Sequence, residues 1–425
     1  MDNRVVVTGL GIVAPNGHGT AAYAQALRAG TSGIRFLPQL AEMKFACQVA
    51  GVPQGIDELS ERYFTEEQLM AMNTGIKYAA IASIDAWRDA GLEVPPEDSD
   101  SVNWDTGAII GTGVGGIDTI GERVVPLTDS GKVRRLGSTV VEQVMTSGVS
   151  AKVAGLLALG NQVTTNSSAC STGTEAIVEA LYRLRRGDAR RMLAGGAEGA
   201  SPYVWSGFDA MRVLNRKSND EPTRASRPMS ATASGFVPGS GAGILILERL
   251  DSAVERGARI YAEVLGGHIN CGGHRLGGSM TAPNPTGVQR CIRAAMVDSG
   301  ITADQIDTIN GHLTATFADP YEIKNWSAAL GRDAKDFPLI NSSKSLVGHA
   351  LGAAGGLESV ACVLQLHEQF IHGSANCEDL HPELLEYAQS IVQQTIDTDI
   401  TIQAKASFGF GDVNTCVFFK RWSTT

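Results

Sequence analysis

The chain has 425 residues, 43% hydrophobic and 19% charged, long enough for one large layered core or two fused units. A formal net charge of −10 argues against a general nucleic-acid binder. Seven scattered cysteines, odd in number and without a CxxC pair, argue against a disulfide framework or structural zinc and for a reducing cytoplasm.

The first predicted strand, "RVVVTG" (4–9), runs into Gly9, Gly11 and Ala14 at dinucleotide-fingerprint spacing. Pro15-Asn16-Gly17 interrupts where a phosphate-binding helix should run, and no second strand ending in an acid follows about 20 residues on. A tight structural turn accounts for the glycines. The opening "MDNRVVVTGLGIVAPNG" does not resemble a signal peptide, and no apolar run approaches the roughly 20 residues that span a bilayer. The next strand, "GAIIGTG" (107–113), leads into "GTGVGGID", read as close backbone packing. "TTNSSACSTGTEA" (164–176) then places Cys170 directly before a helix. On that helix Ala176, Ile177, Ala180, Leu181 and Leu184 form one stripe, with Glu175, Glu179, Arg183 and Arg186 outside it and Gly187-Asp188 as the stop. Further strands are "RMLAGG" (191–196), "AGILILE" (242–248), "YAEVLGG" (261–267), "DTINGH" (307–312), "PLINSS" (338–343), "IQAKASF" (402–408) and "TCVFF" (415–419). Continuous apolar runs of this kind suit sheets covered on both faces by helices, so the fold class is α/β.

The segment "LINSSKSLVGHALGAAGGLES" (339–359) repeats the Asn-Ser-Ser entry of the Cys170 segment, 175 residues on from Asn166 to Asn341. It leads into a second helix rich in small residues, which predicts an internal duplication with halves meeting near residue 250 and both helices packed deep. Cys170 closes a strand-to-helix turn, where free N–H groups and the helix dipole favour a thiolate and could form an oxyanion hole. No histidine lies near it in sequence. His312, ending "DTINGH", and His349, five residues after Lys344, are the candidates from the other half, converging on Cys170 if the halves are related by a pseudo-twofold axis. His268 and His274 flank "INCGG" without a third ligand at metal spacing, and His18, His367, His372 and His381 read as surface or loop residues. No metal is assigned.

Cys170 in "SSACSTGTEA", His312 in "NGHLTAT", "SSKSLVGHALGAAGGLES" and "SFGFGDVN" together resemble the elongating (I/II) β-ketoacyl-acyl-carrier-protein synthases, nearly end to end and in matching order. The resemblance implies a thiolase-like fold: two duplicated α/β halves in a five-layered α-β-α-β-α arrangement with pseudo-twofold symmetry. It places the nucleophile, with cap and dimer insertions, in residues 1–250 and His312, Lys344 and His349 in residues 251–425. It implies an acyltransferase of fatty-acid or related polyketide or polyene synthesis, cytoplasmic and homodimeric. A heterodimer with a homologous subunit, as for a chain-length factor, is the alternative. Acyl carrier protein is the expected partner. No dissociable cofactor is expected, because the phosphopantetheine arm arrives on that carrier.

By the same resemblance Cys170 accepts the acyl chain, while His312 and His349 bind and decarboxylate the malonyl unit. Lys344 governs the electrostatics and hydrogen bonding around His312, and Glu358 belongs to that network. The N–H groups of Cys170 and Phe410 form the oxyanion hole, and Phe410 also gates the acyl pocket. Thr314 and Thr316 contact the pantetheine arm; Val114, Phe208 and Phe408 line substrate. Below the family level, the chemistry agrees: loss of CO2 supplies the carbanion, so the histidines need only donate hydrogen bonds, as neutral imidazoles favoured by a nearby lysine cation. The chain departs from the family pattern at Leu313 and Phe317, at Ser230, Ala233 and Ser240, and at Asp412, with one residue deleted before Asp319. Lys132, Arg134 and Arg135, or Arg212, Arg216 and Lys217, are candidate landing sites for an acidic carrier. A degradative thiolase would need a second reactive cysteine, and Cys416 lies in an apolar strand.

Overall fold

A computed structural model describes residues 4–423. Ten strands carry the architecture, in two sets of five. The first half holds β1 (Val5–Ala14), β2 (Thr106–Gly111), β3 (Val163–Thr164), β4 (Arg191–Glu198) and β5 (Gly241–Arg249). The second holds β6 (Ala262–Cys271), β7 (Thr308–Asn310), β8 (Leu339–Asn341), β9 (Ile402–Gly409) and β10 (Val413–Arg421). Hydrogen-bonded neighbours run β3-β2-β4-β5-β1 in the first half and β8-β7-β9-β10-β6 in the second, and the sets meet where β1 pairs with β6 over residues 5–7. Counted from each half's first strand, the two orders are identical. So are the directions: β2 is parallel to β3 and β4, β7 is parallel to β8 and β9, and the other pairs within each half are antiparallel. The duplication read from the Asn-Ser-Ser segments is therefore built into the strand topology.

Five helices position the site: α1 (Thr74–Asp89), α2 (Thr172–Arg185), α3 (Pro285–Ser299), α4 (Asp319–Leu330) and α5 (Ala354–Glu368). Alternation along the strands divides the core into three. On β5, Leu245 and Leu247 join a central core with Leu181 of α2 and Leu357 of α5, whereas Ile244 and Ile246 join an outer core with Ile81 and Ile84 of α1. On β10, Val417 and Phe419 face the central core, and Cys416 and Phe418 face a third core with Ile292 of α3 and Trp326 of α4. Helix, sheet, paired helices, sheet and helix make the five layers. Because both faces of each strand are buried, the sequence runs look uniformly apolar. The stripe predicted on α2 is buried in full.

The middle layer depends on glycine. A Cβ on Gly173 of α2 would stand 2.6 Å from the Gly356 N of α5, so the two backbones touch and their N-terminal ends open into one interior. The duplication is not uniform, however. Asn166 O accepts from Thr112 N at 3.2 Å and Asn341 O from Gly311 N at 3.0 Å, which makes the two asparagines equivalent at an offset of 175. The helices begin at Thr172 and Ala354, an offset of 182, each preceded by a left-handed residue, Ala169 (φ 50°) and Leu351 (φ 49°). Seven extra residues thus enter the second copy, and they make room for the turn Lys344–Val347 and for His349. Lys344 and His349 therefore do not stand at the position of Cys170; the counterpart of Cys170 is Gly352.

Candidate active site

Cys170 sits between left-handed Ala169 and the start of α2, buried at 7% exposure. The turn is tied down on both sides. Ser171 Oγ donates to Ser407 O (3.1 Å) and Val413 O (3.0 Å) in the other half, and Thr172 Oγ1 accepts from Ser168 N (2.8 Å) while donating to Ala169 O (2.7 Å). His349 places Nε2 3.1 Å from the Cys170 sulfur. Its Nδ1 accepts the Leu351 N–H at 3.3 Å, so the neutral ring carries its proton on Nε2, facing the sulfur. The His312 ring stands 5.3 Å from that of His349 at 84°, and the sulfur and one ring nitrogen of each histidine lie within 4.8 Å of one another. Glu322, on α4, fixes His312 from behind: its two oxygens accept the His312 N–H (2.6 Å) and the Leu313 N–H (2.7 Å). Asp319, one turn earlier, accepts the N–H groups of Thr314 (2.9 Å) and Ala315 (3.1 Å).

Burial sets the electrostatics. It pushes the Cys170 thiol up to about 11, against the pull of Lys344 and the Phe410 N–H. The resting group is a thiol, where the sequence reading expects a thiolate: desolvation outweighs the N–H groups of the turn. Burial first, then Lys344 and Lys405, hold His312 and His349 well below the usual imidazole range, so both rings are neutral hydrogen-bond donors, as the chemistry requires. Lys344 is lowered by burial and raised by its buried partner Glu358, with which it is hydrogen-bonded. Lys344 acts on His312 through its field; no Lys344–His312 hydrogen bond exists among the described residues, and His312 Nδ1 has no hydrogen-bond partner there.

The three residues line a cleft of about 510 Å³. Phe208, Phe408, Phe410, Thr314 and Thr316 line it too, so the structure gathers most of the residues named from sequence. Val114 is not brought to this cleft; its N–H is held by Glu198 at 3.3 Å. Thr314 and Thr316 share a hydroxyl contact of 3.0 Å. A chain of rings runs from Phe410 to Phe208 (6.0 Å), Phe236 (5.6 Å) and His349 (5.1 Å). Cys416 is buried in the outer core of the second half, away from the cleft. His372 is not a surface residue: it is fully buried, with Nε2 3.2 Å from Ser343 Oγ and Nδ1 3.0 Å from Gly373 O. The run around it looked loop-like because "FIHGSANC" is polar and glycine-interrupted, yet Phe370 and Ile371 just before it are buried in the central core with Leu364 and Leu366 of α5.

The departures have definite places. Leu313 is buried with φ at 22°, a left-handed value that favours glycine. Phe317 stands at the cleft mouth, 73% exposed. The Asp412 carboxylate accepts the N–H groups of His274 (3.0 Å) and Asn284 (2.7 Å), tying the Phe410 loop to the segment that carries Thr281 and Pro283 into the cleft. Ser230 donates to Asp379 at 2.6 Å. Sequence reasoning missed Glu322, Asp319, Glu198 and Lys405. The available signals were two acids in the first turn of α4, an acid ending the apolar strand "RMLAGGAE", and a lysine inside "IQAKASF".

Comparison with known proteins agrees with this site. The family description "Beta-ketoacyl synthase, N-terminal domain" matches residues 2–253, and "Beta-ketoacyl synthase, C-terminal domain" matches residues 261–378. A 3-oxoacyl-[acyl-carrier-protein] synthase 2 of Vibrio cholerae is 35% identical over 98% of this chain and 99% of its own. The chloroplastic 3-oxoacyl-[acyl-carrier-protein] synthase I of Arabidopsis thaliana is 34% identical over 98% of this chain and 86% of its own. Among solved structures, the ishigamide ketosynthase/chain length factor superposes with a TM-score of 0.89 at 29% identity, covering 100% of both chains. A type II polyketide ketosynthase bound to its acyl-carrier protein superposes with a TM-score of 0.87 at 28% identity, again over 100% of both. No helix among the described residues is long and apolar enough to cross a membrane. With the duplicated topology and the Cys170–His312–His349 site in place, this chain belongs to the β-ketoacyl synthase family.

Proposed function

We propose that the protein is a decarboxylating condensing enzyme that joins an acyl group to malonyl-acyl carrier protein and releases a 3-oxoacyl-acyl carrier protein. The observation that carries this reading is the His349 Nε2 proton facing the Cys170 sulfur at 3.1 Å, with His312 beside it. Cys170 attacks an acyl thioester; the acyl–sulfur bond of the carrier breaks, its proton passes to the departing pantetheine sulfur, and an acyl-Cys170 thioester remains. Malonyl thioester then occupies the cleft. Its carboxylate leaves as CO2, and the electron pair moves to the thioester oxygen, where His312 and His349 donate hydrogen bonds. The enolate carbon attacks the acyl carbonyl, whose oxygen is received by the N–H groups of Cys170 and Phe410. That attack forms the carbon–carbon bond; collapse of the tetrahedral oxyanion re-forms the carbonyl, breaks the carbon–sulfur bond to Cys170 and releases its thiolate, which takes up one proton. Neutral donors suit this step, since a cationic ring beside the malonyl carboxylate would hold it in place. No metal or dissociable cofactor is needed.

Thr314 and Thr316, in the cleft that Phe317 rims, would hold the pantetheine arm, with Phe208 and Phe408 on the substrate. Arg212, Arg216 and Lys217 are exposed and adjoin Met211 and Val213 of the cleft lining, which favours them over Lys132, Arg134 and Arg135 as the carrier's landing site. A second copy would pair at β3, the outer strand of the first half, giving a cytoplasmic homodimer. The structural likeness to a ketosynthase/chain length factor keeps a heterodimeric partner in view. Intact mass separates the readings. Acyl-carrier protein should leave one acyl group on the wild type and none on Cys170→Ala. A wild type that takes no acyl group at any chain length would refute the catalytic reading and favour the partner role.

A further inference from the structure

The strand β9 alternates in an unusual way. Ile402, Ala404, Ala406 and Phe408 join the outer core of the second half, while Gln403, Lys405 and Ser407 turn to the middle layer, and all are buried. Lys405 is fully buried, paired in the sheet with Asn310 on one side and Val417 on the other. Its Nζ lies 2.9 Å from Glu358 Oε2, and it donates to the Ala406 carbonyl and to Ser407 Oγ (3.1 Å). Glu358, on α5, gives its other oxygen to Lys344. Two buried ammonium groups therefore share one carboxylate.

Stability does not call for this. Removing an ion from water costs several kcal/mol, and the Lys344–Glu358 pair already neutralises itself. A second cation brings its own desolvation and no second anion, and it stands where its charge reaches the site. We propose that Lys405 is a positioning residue for the condensing reaction: its buried ammonium, bound to Glu358 opposite Lys344, gives the floor of the site a surplus positive charge that keeps His312 and His349 as neutral donors. This rests on the condensing reading. Lys405 bears on both imidazoles in the same sense as Lys344, after burial itself. The other charged or titratable groups facing the histidines are Cys170 at the start of α2, Lys344 after β8, Glu322 on α4 and Glu358 on α5, with Glu198 of β4 beyond Gly352.

The test is a charge cycle read on the histidines. Lys405→Met removes the surplus charge and leaves the Lys344–Glu358 pair intact. The double variant Glu358→Gln/Lys405→Met removes one charge of each sign and restores the surplus. Imidazole titrations by NMR, assigned through His312→Ala and His349→Ala, need no substrate. The expected result is an upward move of both midpoints in Lys405→Met and their return toward wild type in the double variant. Malonyl decarboxylation should fall by roughly tenfold in Lys405→Met, while acylation of Cys170 by mass stays stoichiometric. Unchanged midpoints in Lys405→Met would overturn the proposal, whatever the thermal stability does, and mark the lysine as a space-filling group. If Lys405→Met does not fold, the double variant decides: wild-type midpoints support the charge role, and failure of both to fold overturns it. Loss of Cys170 acylation in the wild type would sink the condensing reading without touching the titration result.

Discussion

Gly173→Ala tests the claim that the site is held together by direct contact of α2 with α5. An added Cβ at 173 would stand 2.6 Å from the Gly356 N, 3.1 Å from the Gly352 O and 3.2 Å from a Gly355 backbone carbon. All three neighbours are backbone, so no side chain can swing away, and the helices must part by roughly 0.8 Å to reach ordinary contact near 3.4 Å. Overpacking of this kind costs about 1–3 kcal/mol. The displacement falls three residues from Cys170 on one helix and three residues past His349 at Gly352, across a sulfur–nitrogen distance of 3.1 Å. A shift near 1 Å at reacting groups can cost about 100-fold in rate. The expected outcome is a fall in condensation of one to two powers of ten with a cooperative but lowered thermal transition. Gly155→Ala is the control: it lies exposed in the helix Gly148–Leu157, and a Cβ there meets nothing within 4 Å. That variant should gain about 0.5–1 kcal/mol with activity unchanged. A Gly173→Ala protein with wild-type stability and rate would refute the close-contact argument.

Glu198→Gln should destabilise the protein by about 2–6 kcal/mol in urea unfolding, because an amide nitrogen would face two of the donors now held, and each buried unsatisfied donor costs about 1–3 kcal/mol. Leu313→Gly relieves about 1–2 kcal/mol of left-handed strain but loses a buried leucine worth about 2–5 kcal/mol, so a net loss is expected by thermal unfolding; a gain would mean the backbone strain dominates. His372 is lowered to about 4 by burial, so the folded state refuses a proton that the unfolded chain accepts below about 6.5. Its contribution is present above that pH and fades, by about 3 kcal/mol, as pH falls toward 4. The stability gap between wild type and His372→Gln should therefore narrow between pH 7 and pH 4.5, and a constant gap would show that His372 does not titrate with unfolding.

Much of this was legible because burial leaves regular marks. The apolar runs on β1, β5 and β10 gave strands covered on both faces, and the stripe on α2 gave the helix face that enters the central core. Cys170, His312 and His349 were legible as chemistry-bearing residues at strand ends and helix starts, which the topology then brings within 4.8 Å. What stayed hidden depends on partners distant in sequence. β3 is a two-residue strand, held by pairing with β2. Lys405 reads as one polar letter in an apolar run until Glu358, 47 positions earlier in sequence, is placed beside it. Glu322 and Glu198 act through backbone N–H groups, which carry no sequence signature at all. The resting state of Cys170 was misjudged for the same reason: the turn is visible in sequence, its dehydration is not.

The duplication explains why the molecule has one nucleophile rather than two. Thr112 and Gly311 are equivalent through their asparagine partners, so Gly113 stands where the second half has His312. Gly352 likewise stands where the first half has Cys170, after a left-handed residue of the same φ. These two glycines lie together, and the Glu198 carboxylate fills the space between them: its Oε2 accepts the Gly113 N–H at 2.8 Å and the Gly352 N–H at 2.9 Å. A Cβ on either glycine would meet that oxygen at 2.7 Å. A histidine at 113 would be refused by Glu198, and a cysteine at 352 both by Glu198 and by the Gly113 backbone N, 2.4 Å from the added Cβ. One copy of the repeated turn is closed by a buried carboxylate. The other keeps its cysteine, and the seven residues added to its partner bring Lys344 and His349 across the pseudo-axis to it. One copy of the turn ends as a working site and the other as a structural plug, closed by the Glu198 carboxylate and by the close approach of the Gly113 and Gly352 backbones.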